Sequence, residues 1–139
     1  MQFITKMKPI IEQAGAFVAS QFRTSYDISF KDKISIATEI DFACEEQLKK
    51  DLTTCIPGAG FHTEEAENEL GNEYTWVIDP IDGTKNFACG MPYFCVAVAL
   101  MHHDEVVAAM TYAPVLQEWF YAEKGHGMWW NDKKQTISG

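Results

Sequence analysis

Nine consecutive apolar residues, Tyr93 to Met101, set the first limit on how this chain folds. The run shows no polar–apolar alternation, and a strand of that kind is expected to be covered on both faces. Shorter apolar segments surround it. Thr75 to Ile78 precedes it, and Val106 to Tyr112 and Glu118 to Ala122 follow at hairpin spacing. Turns are expected near His103-Asp104 and Pro114, and Gly125 and Gly127 precede a last short strand at Met128-Trp129-Trp130.

The first half reads differently. Phe3, Met7, Ile10, Ala14 and Phe17, flanked by Ile4, Ile11 and Val18, recur at three- and four-residue spacing, which predicts a helix from residue 2 to about 23. Tyr26 to Phe30 is a short strand candidate. A second helix is expected to start near Thr38, where Thr38 and Asp41 resemble a capping box with Asp in place of Glu. Ile40, Cys44, Leu48 and Leu52 share one face, and Pro57-Gly58 ends the segment. Two helices followed by an antiparallel meander give an α+β layer structure.

At 139 residues the chain fits one domain with a single core. Cys44, Cys55, Cys89 and Cys95 show no C-x-x-C spacing and read as buried thiols in a reducing compartment. Lys6 and Lys8 lie near the start, but Glu12 and Gln13 break the apolar run a signal peptide needs. No stretch reaches membrane-spanning length, so a cytoplasmic protein is expected. A net charge of −9 argues against nucleic acid as the main partner. A phosphorylated substrate stays compatible with it if metal ions supply local positive charge.

The chemistry concentrates in Asp79-Pro80-Ile81-Asp82-Gly83-Thr84. Pro80 fixes its own φ and pushes Asp79 toward an extended conformation at a strand end. The chain then turns and returns Asp82 toward Asp79, and two converging carboxylates suit hard divalent cations. Gly83 allows close backbone approach to a ligand, and Thr84 opens a short helical turn, stopped by Gly90 and Pro92, whose free amides would receive a phosphate oxygen. A plain turn is the competing reading of Asp, Pro and Gly. Thr84, Asn86 and Phe87, with an apolar strand on each side, weigh against it.

Other polar residues carry two readings. Glu64 and Glu65 are functional candidates inside an acid-rich segment in which Glu67, Glu69 and Glu73 read as solvated. Asp41 either interacts with a helix dipole in the first turn, which pattern alone favours, or points into the site. His62, His102, His103 and His126 show no metal spacing, and His102-His103 reads as a solvated hairpin end. Trp129-Trp130 reads as core or interface. Lys31 and Lys33 read as surface charges, with Lys31 a possible phosphate contact.

The order Asp41, Glu64-Glu65, Asp79-Pro80-Ile81-Asp82-Gly83-Thr84 resembles the signature of the lithium-sensitive, Mg²⁺-dependent phosphatases. Trp76, Asn86-Phe87, Gly90-x-Pro92 and Gly125-x-Gly127-x-x-x-Asn131 make it most similar to the inositol monophosphatase family, from about Lys31 to Ser138. The resemblance implies the amino-terminal half of a layered αβαβα sugar phosphatase fold, two or three Mg²⁺ ions in the complete site, and a small phosphorylated polyol or sugar as substrate. It implies that Glu64, Asp79 and the Ile81 carbonyl hold a first Mg²⁺, that Asp79 and Asp82 hold a second, and that Glu65 binds site waters. Thr84, polarised by Asp41, would help activate the attacking water, and the Gly83 and Thr84 amides would hold the phosphate.

Two departures stand out: Thr63 replaces the usual Gly before the Glu pair, and nothing matches the W-D-x-A-type motif of the family's second α/β domain. The expectation is therefore an amino-terminal metal- and phosphate-binding domain without that second domain, weak in Mg²⁺ binding and in activity alone. It would work as a homodimer or paired with the missing half. The main alternative is a catalytically inactive fragment or assembly module that needs a second half or a partner chain. The rival enzyme class is a haloacid-dehalogenase-type phosphatase, which needs one residue between its two Asp; here Pro80 and Ile81 intervene.

Overall fold

The structure is a computed structural model that describes residues 1–22, 29–63 and 68–136, without the Phe30 side chain. Helices α1 (Gln2–Gln21), α2 (Phe30–Cys55) and α3 (Thr84–Ala88) accompany seven strands. These are β1 (Gly60–Thr63), β2 (Tyr74–Asp82), β3 (Cys95–His102), β4 (Glu105–Ala113), β5 (Glu118–Glu123), β6 (Gly127–Trp130) and β7 (Lys133–Gln135). The strands form one sheet in chain order, α+β in class.

All neighbouring pairs are antiparallel except β1 and β2, which run parallel. The sheet is therefore mixed, a correction to the expected antiparallel meander. Strand β1 escaped sequence reading because its four residues carry no alternation long enough to register.

Helix α1 follows its pattern: Ile4, Met7, Ile11, Ala14 and Val18 are buried, one stripe at 3.6-residue spacing. That stripe lies on β3, β4 and β5, while α2 covers β2 and packs against α1 and α3. Each fully buried Leu, Ile or Met of this layer contributes about 1.5–3 kcal/mol.

The second helix starts at Phe30, eight residues before the expected Thr38. Ser29 is the N-cap, its hydroxyl accepting from the Asp32 amide at 3.3 Å. The Thr38 hydroxyl instead donates back to the Ile34 carbonyl at 3.0 Å, a mid-helix bond. Phe30 is thus helical rather than strand, and residues 26–28 of the expected strand lie outside the described residues.

The apolar run Tyr93–Met101 also differs from expectation. Along β3, Val96, Val98 and Leu100 are buried under the helices, whereas Cys95, Ala97, Ala99 and Met101 are only half-buried on the opposite face. Small side chains on that face leave an open trough of about 420 Å³ over Val77, Ala97, Ala99, Ala109 and Thr111. Of the four free cysteines only Cys44 is buried, and Cys89 is exposed. Burial, then the nearby Asp41 charge, pushes the Cys44 thiol up to about 12.

The start of α1 is capped from the sheet. Met1, its N-cap, offers no side-chain hydrogen bond. The buried Glu123 carboxylate at the end of β5 accepts from the Gln2, Phe3 and Ile4 amides at 3.0, 3.1 and 3.0 Å. A carboxylate there satisfies first-turn amides and complements the helix dipole. The residues Asn131 and Trp119 close the other end of this region. The Asn131 amide donates to the Trp119 carbonyl at 3.0 Å, and its side-chain oxygen accepts from the Trp119 amide at 2.8 Å.

Replacing Glu123 with Ala leaves those three amides without their charged acceptor. The expected cost is about 2–3 kcal/mol, read as a lower urea midpoint; an unchanged midpoint would show the clamp to be idle. For the thiols, Cys89 should react with an alkylating reagent in the native protein while Cys44 stays unmodified, as peptide mapping would show.

Candidate functional site

The geometry of the cleft follows from a mismatch in strand pairing. Asp79 pairs with Ala97 and Asp82 with Cys95, so Pro80 and Ile81 together oppose the single residue Val96. That is a β-bulge. In a regular strand, residues three apart point to opposite faces. The extra residue reverses the parity, so Asp79 and Asp82 emerge on the same face, away from the helices, while Pro80 and Ile81 are both buried. Pro80 suits this position because a bulge tolerates a residue with no amide to give the ladder.

Cys95 pairs with Asp82 across the bulge and lies on the same face as both carboxylates. Its thiol donates to Asp82 Oδ2 at 3.8 Å. Burial, followed by the charges of Asp82 and Asp79, pushes it up to about 12. Two carboxylates acting on one thiol mark a concentration of negative charge that a cation would neutralise. Hard oxygen donors in such an array fit Mg²⁺ or Ca²⁺ better than softer metals.

After Asp82 the backbone turns sharply at Gly83, whose φ is 96°. A Cβ there would stand 2.8 Å from the Tyr93 carbonyl oxygen and 3.3 Å from Phe94 Cα, so glycine is required twice over. Thr84 begins α3, as expected from the sequence. Its hydroxyl donates to the Ile81 carbonyl at 2.9 Å, leaving that oxygen a second lone pair. Asn86 ties the loop by donating to the Tyr93 carbonyl at 2.7 Å. Phe87 pins it to the core: its ring meets Phe94 edge-on at 5.1 Å, and Phe22 contacts both, at 5.7 and 5.0 Å. Asp79, Ile81, Asp82, Gly83, Thr84, Lys85 and Asn86 line an open cleft of about 330 Å³.

Asp41 is 4% exposed and sits in the middle of α2, not in its first turn. The dipole reading is thereby overturned, because the terminal field fades within one turn. Asp41 shares the buried face of α2 with Ala37, Cys44 and Leu48, and α2 packs against α3, whose first residue is Thr84. Lys31 is exposed and Lys33 half-buried.

Glu64 and Glu65 lie outside the described residues, but their flanks are informative. The parallel register sets Thr63 beside Ile78, the residue just before Asp79. The chain is back at Glu69, which exchanges two backbone hydrogen bonds with Phe61 at 2.9 and 2.8 Å. The backbones of Gly60 and Gly71 touch so closely that neither position has room for a Cβ. Lys49 of α2 completes the base, bridging the fully buried Glu45 at 3.1 Å and Glu69 at 3.0 Å. Burial pulls the Lys49 ammonium down, but its bonds to Glu69 and Glu45 outweigh that and raise it. Glu69 is therefore an ion-pair partner rather than a merely solvated acid.

Sequence reading missed Cys95 as a neighbour of Asp82; counting the pairing across the bulge would have found it. His102 and His103 lie at the β3–β4 hairpin end, as expected, and His103 is exposed. His102 is not simply solvated: its Nε2 lies 3.2 Å from Glu73 Oε2, and its ring stacks on Tyr74 at 4.6 Å. Trp129 packs against the core, and Trp130 is largely exposed.

A mixed sheet with helices packed on one face and two carboxylates at the end of its second strand defines an α+β scaffold with an acidic cleft. The model of the inositol monophosphatase family matches residues 2–139, and the chain belongs to that family. An inositol monophosphatase of Dictyostelium discoideum is 39% identical over 142 residues, spanning 99% of this chain and 52% of the relative. An inositol-1-monophosphatase of Rhizobium meliloti is 32% identical over 135 residues, 94% of this chain and 51% of the relative. The solved structure of extragenic suppressor protein suhB from Bartonella henselae superposes with a TM-score of 0.87 at 28% identity, over 99% of this chain and 55% of that one. The chain thus spans about half the length of the curated relatives it matches.

Gly83→Ala is expected to cost about 1–3 kcal/mol through the strained φ alone, with the clash against Tyr93 adding to it. Thermal denaturation would read this, and a variant as stable as the parent would contradict the required left-handed turn.

Proposed function

We propose that this chain carries the metal- and phosphate-binding part of a Mg²⁺-dependent phosphatase, hydrolysing inositol monophosphate or a similar small polyol or sugar phosphate ester. The observation that carries the reading is the bulge that sets Asp79 and Asp82 on one face beside the Gly83–Thr84 turn. Family membership and the inositol monophosphatase names of the relatives support it.

In this reading Glu64, Asp79 and the Ile81 carbonyl would hold one ion, and Asp79 and Asp82 a second. Bound Mg²⁺ supplies a lowered pKa for attacking water and stabilises the charge on the leaving oxygen. The Gly83 and Thr84 amides, at the start of α3, would hold a phosphate oxygen and orient the ester for in-line attack. Glu65 would accept from a site water. The Thr84 hydroxyl, supported from the α2 side by Asp41, would position the attacking water; it would then turn from the Ile81 carbonyl. Such an enzyme would work in the cytoplasm and as a dimer.

A second reading is a unit that acts only when a further domain or partner chain covers the sheet. The open trough on the face carrying Asp79 favours it.

The Mg²⁺ content of the site can be tested on the chain itself by calorimetric titration. Asp79→Asn should weaken binding at least tenfold, and equal binding in parent and variant would sink the metal assignment. For catalysis, phosphate release from inositol 1-phosphate should require Mg²⁺ and be inhibited by Li⁺. The same substitution should then lower kcat by about 10³, equivalent to about 4 kcal/mol of lost transition-state stabilisation. Release that appears only on mixing with a second-domain polypeptide would select the second reading.

A further inference from the structure

At the other end of β2, six residues before Asp79, a different donor set comes together. Glu73 immediately precedes β2, His102 ends β3, and His103 opens the turn to β4. One ligand atom from each of the three lies within 4.8 Å of the other two. We infer that Glu73, His102 and His103 form a binding site for a late first-row divalent cation such as Zn²⁺, separate in place and in metal class from the Asp79–Asp82 cleft.

Several contacts hold the three donors together in advance. Tyr74 pairs with His102 across the ladder, which places Glu73 opposite the turn. The His103 amide donates to the Glu73 carbonyl at 2.8 Å, tying the two backbones. The His102 ring is gripped between Tyr74, stacked at 4.6 Å, and His103, at 4.5 Å. His103 itself takes a left-handed φ of 52°, uncommon for a residue with a side chain.

The spacing suits the ion. Donors about 2.1 Å from a tetrahedral zinc stand roughly 3.4 Å from one another, and His102 Nε2 and Glu73 Oε2 are 3.2 Å apart. Small rotations about the side chains of the exposed Glu73 and His103 bring the third donor to the same range. Two imidazoles and one carboxylate leave a fourth position for water.

The donor types decide the metal. Imidazole nitrogen favours Zn²⁺, Cu²⁺ and Ni²⁺, whereas Mg²⁺ prefers an all-oxygen shell and keeps several waters. At roughly 3.3 Å per residue the site lies about 20 Å from Asp79 along β2, too far for the two to share an ion. Bound there, a cation would clamp the start of β2 to the β3–β4 turn and stabilise the folded chain by mass action.

The test is a Zn²⁺ titration of the untagged, chelator-treated chain against a chromophoric competitor, with millimolar Mg²⁺ present throughout. His102→Phe keeps the stack on Tyr74, and His103→Asn keeps a residue that tolerates the left-handed turn; circular dichroism verifies that both fold. The expected result is one equivalent of Zn²⁺ bound by the parent and by Asp79→Asn, at least tenfold weaker binding in each histidine variant, and a Zn²⁺-dependent rise in melting temperature that those variants lose. Zn²⁺ binding unchanged in the histidine variants, abolished by Asp79→Asn, displaced by Mg²⁺ or absent from the parent would overturn the assignment. Glu73→Gln provides the third arm and should weaken binding without altering the fold.

Discussion

Between Asp79 and Asp82 the second strand carries two residues where its neighbour offers one, and the polar geometry of the cleft follows from that mismatch. Without it the two carboxylates would point to opposite sides of the sheet, one of them into the apolar layer beneath the helices. A buried, unpaired carboxylate costs several kcal/mol, so the bulge is a condition for the fold as well as for the site. Pro80 makes it locally acceptable, and the left-handed Gly83 that follows turns the chain before the next residues could rejoin the ladder.

The rest of the molecule holds that irregularity in place. Phe87, Phe94 and Phe22 join the loop after Gly83 to the apolar core, so the cleft rests on packed rings rather than on a free turn. Glu45, Lys49 and Glu69 fix the base of the neighbouring acidic segment to α2. On the far side, Glu123 holds the start of α1 against the sheet and thereby closes the layer that covers β3, β4 and β5. Most of these contacts join residues far apart in the chain, as Glu123 does with the start of α1, Phe22 with Phe87 and Phe94, and Lys49 with Glu69.

The two faces of the sheet divide the labour. Large apolar residues, Trp76, Ile78, Val98, Leu100 and Met110, face the helices and are buried. Small ones, Ala97, Ala99 and Ala109, face the open trough into which Asp79 projects. This explains why Tyr93–Met101 looks uniformly apolar in sequence yet alternates in burial. Alanine and cysteine count as apolar but occupy little space, so a run of apolar letters hides an alternation of size.

What the sequence determined by itself was local. Periodicity placed α1 and most strands, and Asp79-Pro80-Ile81-Asp82-Gly83-Thr84 specified an extended end, a turn and a helix start, because Pro and Gly restrict or release φ irrespective of their surroundings. The family resemblance was legible from the same letters. The true start of α2 was not, since Ser29 with Asp32 competes with an equally plausible signal at Thr38 and Asp41, and only packing against the sheet rewards the longer helix. Tertiary structure alone decided the parallel pairing of β1, the placing of Asp41 in mid-helix, the nearness of Cys95 to Asp82, and the meeting of Glu73 with His102 and His103. Each depends on strand register or on helix docking, which join residues far apart in the chain and leave no periodic trace along it.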